Sequence, residues 1–162
     1  MKSALTIFSE KQKFTQWWIW LILIVSYGFS FYAMNEANPD FEPIWSKLFQ
    51  NPKFIIFAIL MVVTLLLFKI IYLKTEITKH EITIHFSPFT KRKFAWSDIE
   101  KARVLNYGFI GGWGIRLWTK FGTAYNIKGS IGLAIELKNG KKYLIGTQKG
   151  DLMKTSIEGL IS

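Results

Sequence analysis

The sequence predicts a membrane α-helical hairpin followed by a mainly-β domain that ends in a helix. Two observations carry this: a pair of long apolar runs near the N-terminus, and a switch of hydrophobic period from continuous to alternating after Leu73. Hydrophobic residues make up 50% of the chain and mean hydropathy is +0.20. The excess sits in those two runs, and the remainder has the composition of an ordinary globular domain.

Residues 1–16 read as a cytoplasmic N-terminal segment carrying Lys2, Lys11 and Lys13 against Glu10. Residues 17–34, Trp17 to Met34, then run without a charge; as a helix this stretch spans about 27 Å, close to the hydrocarbon thickness of a bilayer. Residues 54–73, Phe54 to Leu73, span about 30 Å and are interrupted by Thr64 and Lys69. Lys69 lies one turn from the end, where its stem can stay in hydrocarbon while its amine reaches the headgroups. No large soluble domain is present to bury two such helices, so both read as transmembrane. The first reads as an uncleaved anchor, because cutting after Ala33 would place Phe31 where a signal peptidase needs a small residue.

Lys/Arg placement sets the orientation. Lys11 and Lys13 precede the first run, and Lys74, Lys79, Lys91, Arg92 and Lys93 follow the second. Residues 35–53 between them carry Lys47 and Lys53 against three acids. Both termini are therefore expected in the cytoplasm of a bacterial inner-membrane protein, with 35–53 as an extracytoplasmic loop. Within it, residues 43–49 read as a short amphipathic turn of helix on the outer headgroups. Ser26, Gly28 and Ser30 are small residues that could let the two helices approach closely.

Residues 74–162 read as the cytoplasmic β domain. Ile82, Ile84 and Phe86 alternate with polar residues, as do Phe94 and Trp96; further strands fall near 101–107, 113–117 and 124–128. Leu133, Ile135 and Leu137 lead into Asn139-Gly140, with Tyr143 and Ile145 beyond, which predicts a hairpin closed by a type I′ turn. Leu152, Met153, Ile157, Leu160 and Ile161 recur at helical spacing, with Thr147 or Asp151 available as a cap. Six or seven strands and one helix suit a small bent sheet closed at one end.

Three stretches resemble the signature of bacterial pleckstrin-homology-like domains: Gly111-Gly112-Trp113-Gly114-Ile115-Arg116, Thr123 through Gly129, and Asn139-Gly140 through Gln148. The resemblance covers roughly Leu73 to the end. It implies a seven-stranded, partly open barrel capped by the C-terminal helix, with no catalysis, and Gly111, Gly112, Trp113, Gly114, Gly129, Asn139 and Gly140 as fold-signature positions.

No catalytic, cofactor-binding or metal-binding set emerges from the sequence. The chain has no cysteine, which excludes disulfides and thiolate ligands. Residues 108–114 are glycine-rich but lack both the Gly-Lys-Ser/Thr of a P-loop and a third dinucleotide glycine, so the glycines read as turn or bulge residues. His80 and His85 fall on opposite faces of a strand, and Asp98 and Glu100 sit in a turn without a partnered base.

Net charge is +10, with fifteen Lys/Arg against seven Asp/Glu after Leu73. No nucleic-acid motif accompanies it, and nothing suggests a small-molecule substrate. Lys91, Arg92 and Lys93 form the densest basic cluster, either a solvated turn or a contact to anionic lipid. Arg116, Trp118, Tyr125 and Lys128 form a candidate binding surface, with a structural arginine at the barrel rim as the alternative. The expected function is a membrane-anchored, non-enzymatic interaction module that binds a protein partner, itself or anionic headgroups. The rival is a structural or accessory subunit of a larger transport or envelope complex.

Overall fold

A computed structural model describes residues 5–36 and 52–161, so the amphipathic turn expected at 43–49 lies outside the described residues. The elements in chain order are β1 (Thr6–Lys13), α1 (Trp17–Glu36), α2 (Pro52–Ile70), β2 (Tyr72–Thr78), β3 (Glu81–Ser87) and β4 (Thr90–Ala95). A 3-10 turn (Trp96–Asp98) then leads to β5 (Ile99–Asn106), β6 (Gly114–Thr119), β7 (Gly122–Asn126), β8 (Ile131–Leu137), β9 (Lys142–Thr147) and α3 (Gly150–Ile161). The chain divides into two compact units: one spans residues 15–69 and holds α1 and α2, and the residues on either side of it together form the β unit.

In the helical unit α1 and α2 run antiparallel, stitched by edge-on ring pairs: Trp20 with Phe68, Tyr27 with Phe57 and Phe31 with Phe54. At Gly28 an added methyl group would meet nothing within 4 Å. Gly28 borders a groove of about 380 Å³, lined also by Ile24, Tyr27, Phe57, Ala58 and Met61 among others. Ser30 donates to the Ser26 carbonyl at 2.9 Å, which satisfies its hydroxyl inside its own helix. Among the described residues one helix, α2, is long and apolar enough to cross a membrane. The described apolar part of α1, Trp17–Ala33, falls short of that length.

The β unit has two sheets and a C-terminal helix. The first sheet is antiparallel in the order β1-β2-β3-β4, and the second has the order β5-β8-β9-β7-β6 with β7 and β9 parallel. Alternation explains the packing: Leu73 and Ile77 of β2, Ile82, Ile84 and Phe86 of β3, and Phe94 of β4 all face inward. They meet Tyr125, Leu133, Ile135 and Ile145 from the second sheet and Ile127 just past β7. Met153 and Ile157, one helical turn apart on α3, complete this core. Each fully buried aliphatic side chain contributes about 1.5–3 kcal/mol, enough for two such anchors to dock a short helix.

The described residues contain nine strands, where the sequence predicts at most seven. The additions are β1 and β2, which abut the apolar runs. Segment 1–16 thus holds a strand of the β unit, and that unit's second strand begins at Tyr72, ahead of residue 74. Polar inward positions hid both strands, since β1 buries Phe8, Glu10 and Gln12 and β2 buries Leu73, Thr75 and Ile77. The Glu10 carboxylate accepts from Thr147 Oγ1 at 2.6 Å and from the Gln148 amide at 2.9 Å, beside the start of α3. Gln12 donates to the Gly146 carbonyl at 2.8 Å. These buried polar links tie β1 to the second sheet.

The β8–β9 hairpin forms around Asn139-Gly140, but with a different turn. Gly140, at φ 80°, is left-handed while Asn139 is not; Leu137 O accepts from Gly140 N, and Leu137 N donates to Lys141 O. That is a type I turn with a glycine bulge in place of type I′.

The first two strands pair in unbroken register from Lys13↔Tyr72 to Phe8↔Ile77 and, past an irregularity, at Thr6↔Thr78, so the helical unit is an insertion between neighbouring strands. Replacing residues 14–71 by Asn-Gly should therefore join β1 to β2 as a hairpin and yield a soluble, cooperatively melting β protein. Residues 70–162 alone should aggregate, because the β2 edge and the partners of Glu10 are left open. Circular dichroism and size-exclusion chromatography of the two proteins check this.

Candidate functional site

The four cations that line one basin on the β unit are scattered along the chain. Lys101 and Arg103 alternate onto one face of β5, Lys142 starts β9, and Lys120 sits in the β6–β7 turn. Register aligns them: Lys101 lies opposite Glu136, which lies opposite Lys142, while Arg103 lies opposite Ala134. The turn is folded onto β9 by Gly122, which has φ 76°; a Cβ there would strike the Lys142 carbonyl. This close approach places Lys120 and Phe121 beside Lys142. The resulting basin of about 430 Å³ has Phe121, Ala134, Ile135 and Tyr143 as its apolar lining.

Four cations surround one carboxylate, Glu136, which pairs with Lys142 at 3.3 Å. The Lys120 ammonium also lies 5.1 Å from the Phe121 ring centroid. Such a basin suits an anionic group attached to an apolar body. Sequence reasoning missed it because only Lys101 and Arg103, two apart in a strand, carry a local signal.

The proposed surface of Arg116, Trp118, Tyr125 and Lys128 is not assembled as expected. Tyr125 is 2% exposed and packs in the core against Phe86, because Ile115, not Arg116, is its cross-strand neighbour. Arg116 is exposed with its guanidinium against Gly112. Register breaks between Arg116 and Thr119, and Trp118 takes φ 55° in that irregularity, which turns it 94% into solvent and off the Arg116 face. Lys128 is exposed, and its carbonyl accepts from Gln148 Nε2.

The signature stretches meet at one structural latch. Tyr107 donates to the Gly129 carbonyl at 2.9 Å, and Asn126 Nδ2 donates to Tyr107 Oη and to the Gly112 carbonyl, each at 3.3 Å. Gly146 lets the Asn126 side chain lie flat against β9. Burial pushes the Tyr107 phenol above its ordinary pKa, and the Asn126 hydrogen bond opposes this. Gly111, Gly112, Gly114, Gly129 and Gly140 all have positive φ, which glycine alone adopts at little cost.

The basic cluster lies on β4, exposed, but its members differ. Lys93 is engaged by Glu81 at 2.6 Å, whereas Lys91 lies opposite His85 and Arg92 opposite Ile84. The Lys93 hydrogen bond, with help from Thr83 and the charge of Lys91, holds the Glu81 carboxyl below its ordinary pKa. No family model matches the chain, and neither does a curated protein or a solved structure.

Two outcomes test this geometry. A depressed folded-state pKa makes Glu81 contribute stability at neutral pH, and this contribution is lost as pH falls through that pKa. In Lys93→Met the Glu81 carboxyl should titrate closer to its ordinary range by carbon-detected NMR, and acid sensitivity of melting should shrink. Gly122→Ala should destabilise the fold by at least about 1 kcal/mol in denaturant titration, through the positive φ and the clash with β9.

Proposed function

We propose that this protein is a membrane-anchored, non-enzymatic interaction module of the bacterial inner membrane. Its helical unit crosses the bilayer twice, and its β unit is a pleckstrin-homology-like domain on the cytoplasmic side. The anchoring rests on the apolar length of α2, and the number of crossings on the pairing of Lys13 with Tyr72. A single crossing between those residues would put hydrogen-bonded neighbours on opposite faces of a membrane, so the number of crossings must be even. Given one crossing by α2, the helix of sufficient length and apolarity, α1 supplies the other. α1 has 20 residues in all, about 30 Å of helix. The excess of Lys and Arg flanking both outer ends favours the cytoplasmic side for the β unit.

The basin bounded by Lys101, Arg103, Lys120 and Lys142 supports a binding role, with an acidic segment of a protein partner as the fitting ligand class. The two-sheet, helix-closed architecture is compatible with a pleckstrin-homology-like domain, with β1 and β2 as additions. A second reading, an accessory subunit of a larger membrane complex, is favoured by the apolar groove at Gly28 and Ala58, which would accept a partner's helix.

Because the chain lacks cysteine, single cysteines report sidedness cleanly. In intact spheroplasts a membrane-impermeant maleimide should modify Asp40→Cys and leave Asn139→Cys unmodified until lysis. Labelling of Asn139→Cys before lysis, or release of the protein by alkaline carbonate, would overturn the reading.

A further inference from the structure

We infer that the end of the first sheet from which the chain departs to its helices is a contact surface for anionic phospholipid headgroups. This rests on the anchored reading above and names a ligand for one face of the β unit. Lys13 and Tyr72, the last and first residues of β1 and β2, are paired, and Tyr72 also pairs with Ser87 at the end of β3. The attachment points and the β3–β4 turn therefore share one end of the sheet. Few residues, 14–16 and 71, separate the strands from the helices. At about 3.3–3.6 Å per residue, an anchored helix pair keeps this end within roughly 11 Å of the bilayer surface.

Two positions in from that end, register places Lys11 opposite Lys74, Lys74 opposite His85 and His85 opposite Lys91. One row across all four strands thus carries three lysines and a histidine on the outward face. Lys11 and Lys91 are exposed, and the Lys74 side chain is 41% exposed. Like charges directly opposite one another destabilise a sheet. Relief within the fold is partial: Lys74 reaches Glu76 at 2.7 Å, and the Lys11 ammonium lies 4.1 Å from the Tyr72 ring centroid.

Charge is polarised along the strands. The sheet's outward-facing carboxylates, Glu76 and Glu81, both half-buried, lie on the side of the row away from the attachment end. Among the described residues of this sheet none lies between the row and that end. Phe89 tips the β3–β4 turn there, 59% exposed and braced on Phe86 at 6.3 Å between centroids. A cationic row with a rigid exposed aromatic at its border fits the headgroup layer of an anionic leaflet. It fits a purely apolar or cationic partner poorly. Lys91 and Arg92 of the basic cluster border this surface, while Lys93 is tied to Glu81.

The test uses full-length protein with Phe89→Cys carrying an environment-sensitive dye, reconstituted into phosphatidylcholine vesicles or an equal mixture with phosphatidylglycerol. Headgroup-nitroxide lipids should quench the dye severalfold more in the anionic vesicles, and added salt should reduce the difference. Neutralising Lys11, Lys74 and Lys91 to Gln should abolish it while leaving the melting temperature unchanged or raised. Equal quenching in both vesicle types, or persistence in the triple variant, would sink the inference.

Carbonate washing of the same vesicles tests anchoring separately. If the protein is stripped, the anchored reading fails and the row is judged by co-sedimentation. Preference for anionic vesicles that falls about fivefold per lysine neutralised, the equivalent of about 1 kcal/mol each, sustains it, and no preference overturns it.

Discussion

The antiparallel pairing of β1 with β2 is the constraint on which the rest of the molecule depends. It fixes both ends of the helical insertion at one end of one sheet, through a ladder running from Lys13↔Tyr72 to Thr6↔Thr78. Each backbone bond in such a ladder contributes only about 0.5–1.5 kcal/mol net. The buried links from Glu10 to Thr147 and Gln148, and from Gln12 to Gly146, add connections to the second sheet. Together they commit β1 to the β unit although the helices intervene in sequence.

That arrangement explains what the sequence disclosed and what it hid. The alternation in β3 and β8, the hairpin at Asn139-Gly140 and the helical spacing of Met153 and Ile157 were legible because their inward positions are apolar. β1 was not, since two of its three buried side chains are Glu10 and Gln12, and polarity at an inward position erases the period. Trp118 misled for a different reason. Strand alternation assumes an unbroken ladder, and the irregularity after Arg116 resets which way the next residues point. The basin cations come from three separate segments and meet only through register and the Gly122 turn, so linear spacing could not reveal them.

The residues that carry the family resemblance behave as scaffold. Gly112, Asn126, Gly129 and Gly146 meet around Tyr107, where close backbone approach and a short relay of hydrogen bonds hold a glycine-rich loop on the second sheet. The charged surfaces lie elsewhere, on the outward side of the first sheet and in the basin bordered by β5 and β9. A fold kept by one set of residues and surfaces set by another leaves the surfaces free to differ between proteins that share the fold.

Insertion of the helices between paired strands also orders events during synthesis. β1 leaves the ribosome first yet has no neighbour until β2 follows, after the whole helical stretch. Antiparallel docking of α1 on α2, clamped at one end by Trp20 and Phe68, brings the flanking chain segments together. The long loop that would otherwise oppose strand pairing is thereby reduced to a short gap. Helix association thus lowers the entropic cost of pairing β1 with β2 across the intervening stretch.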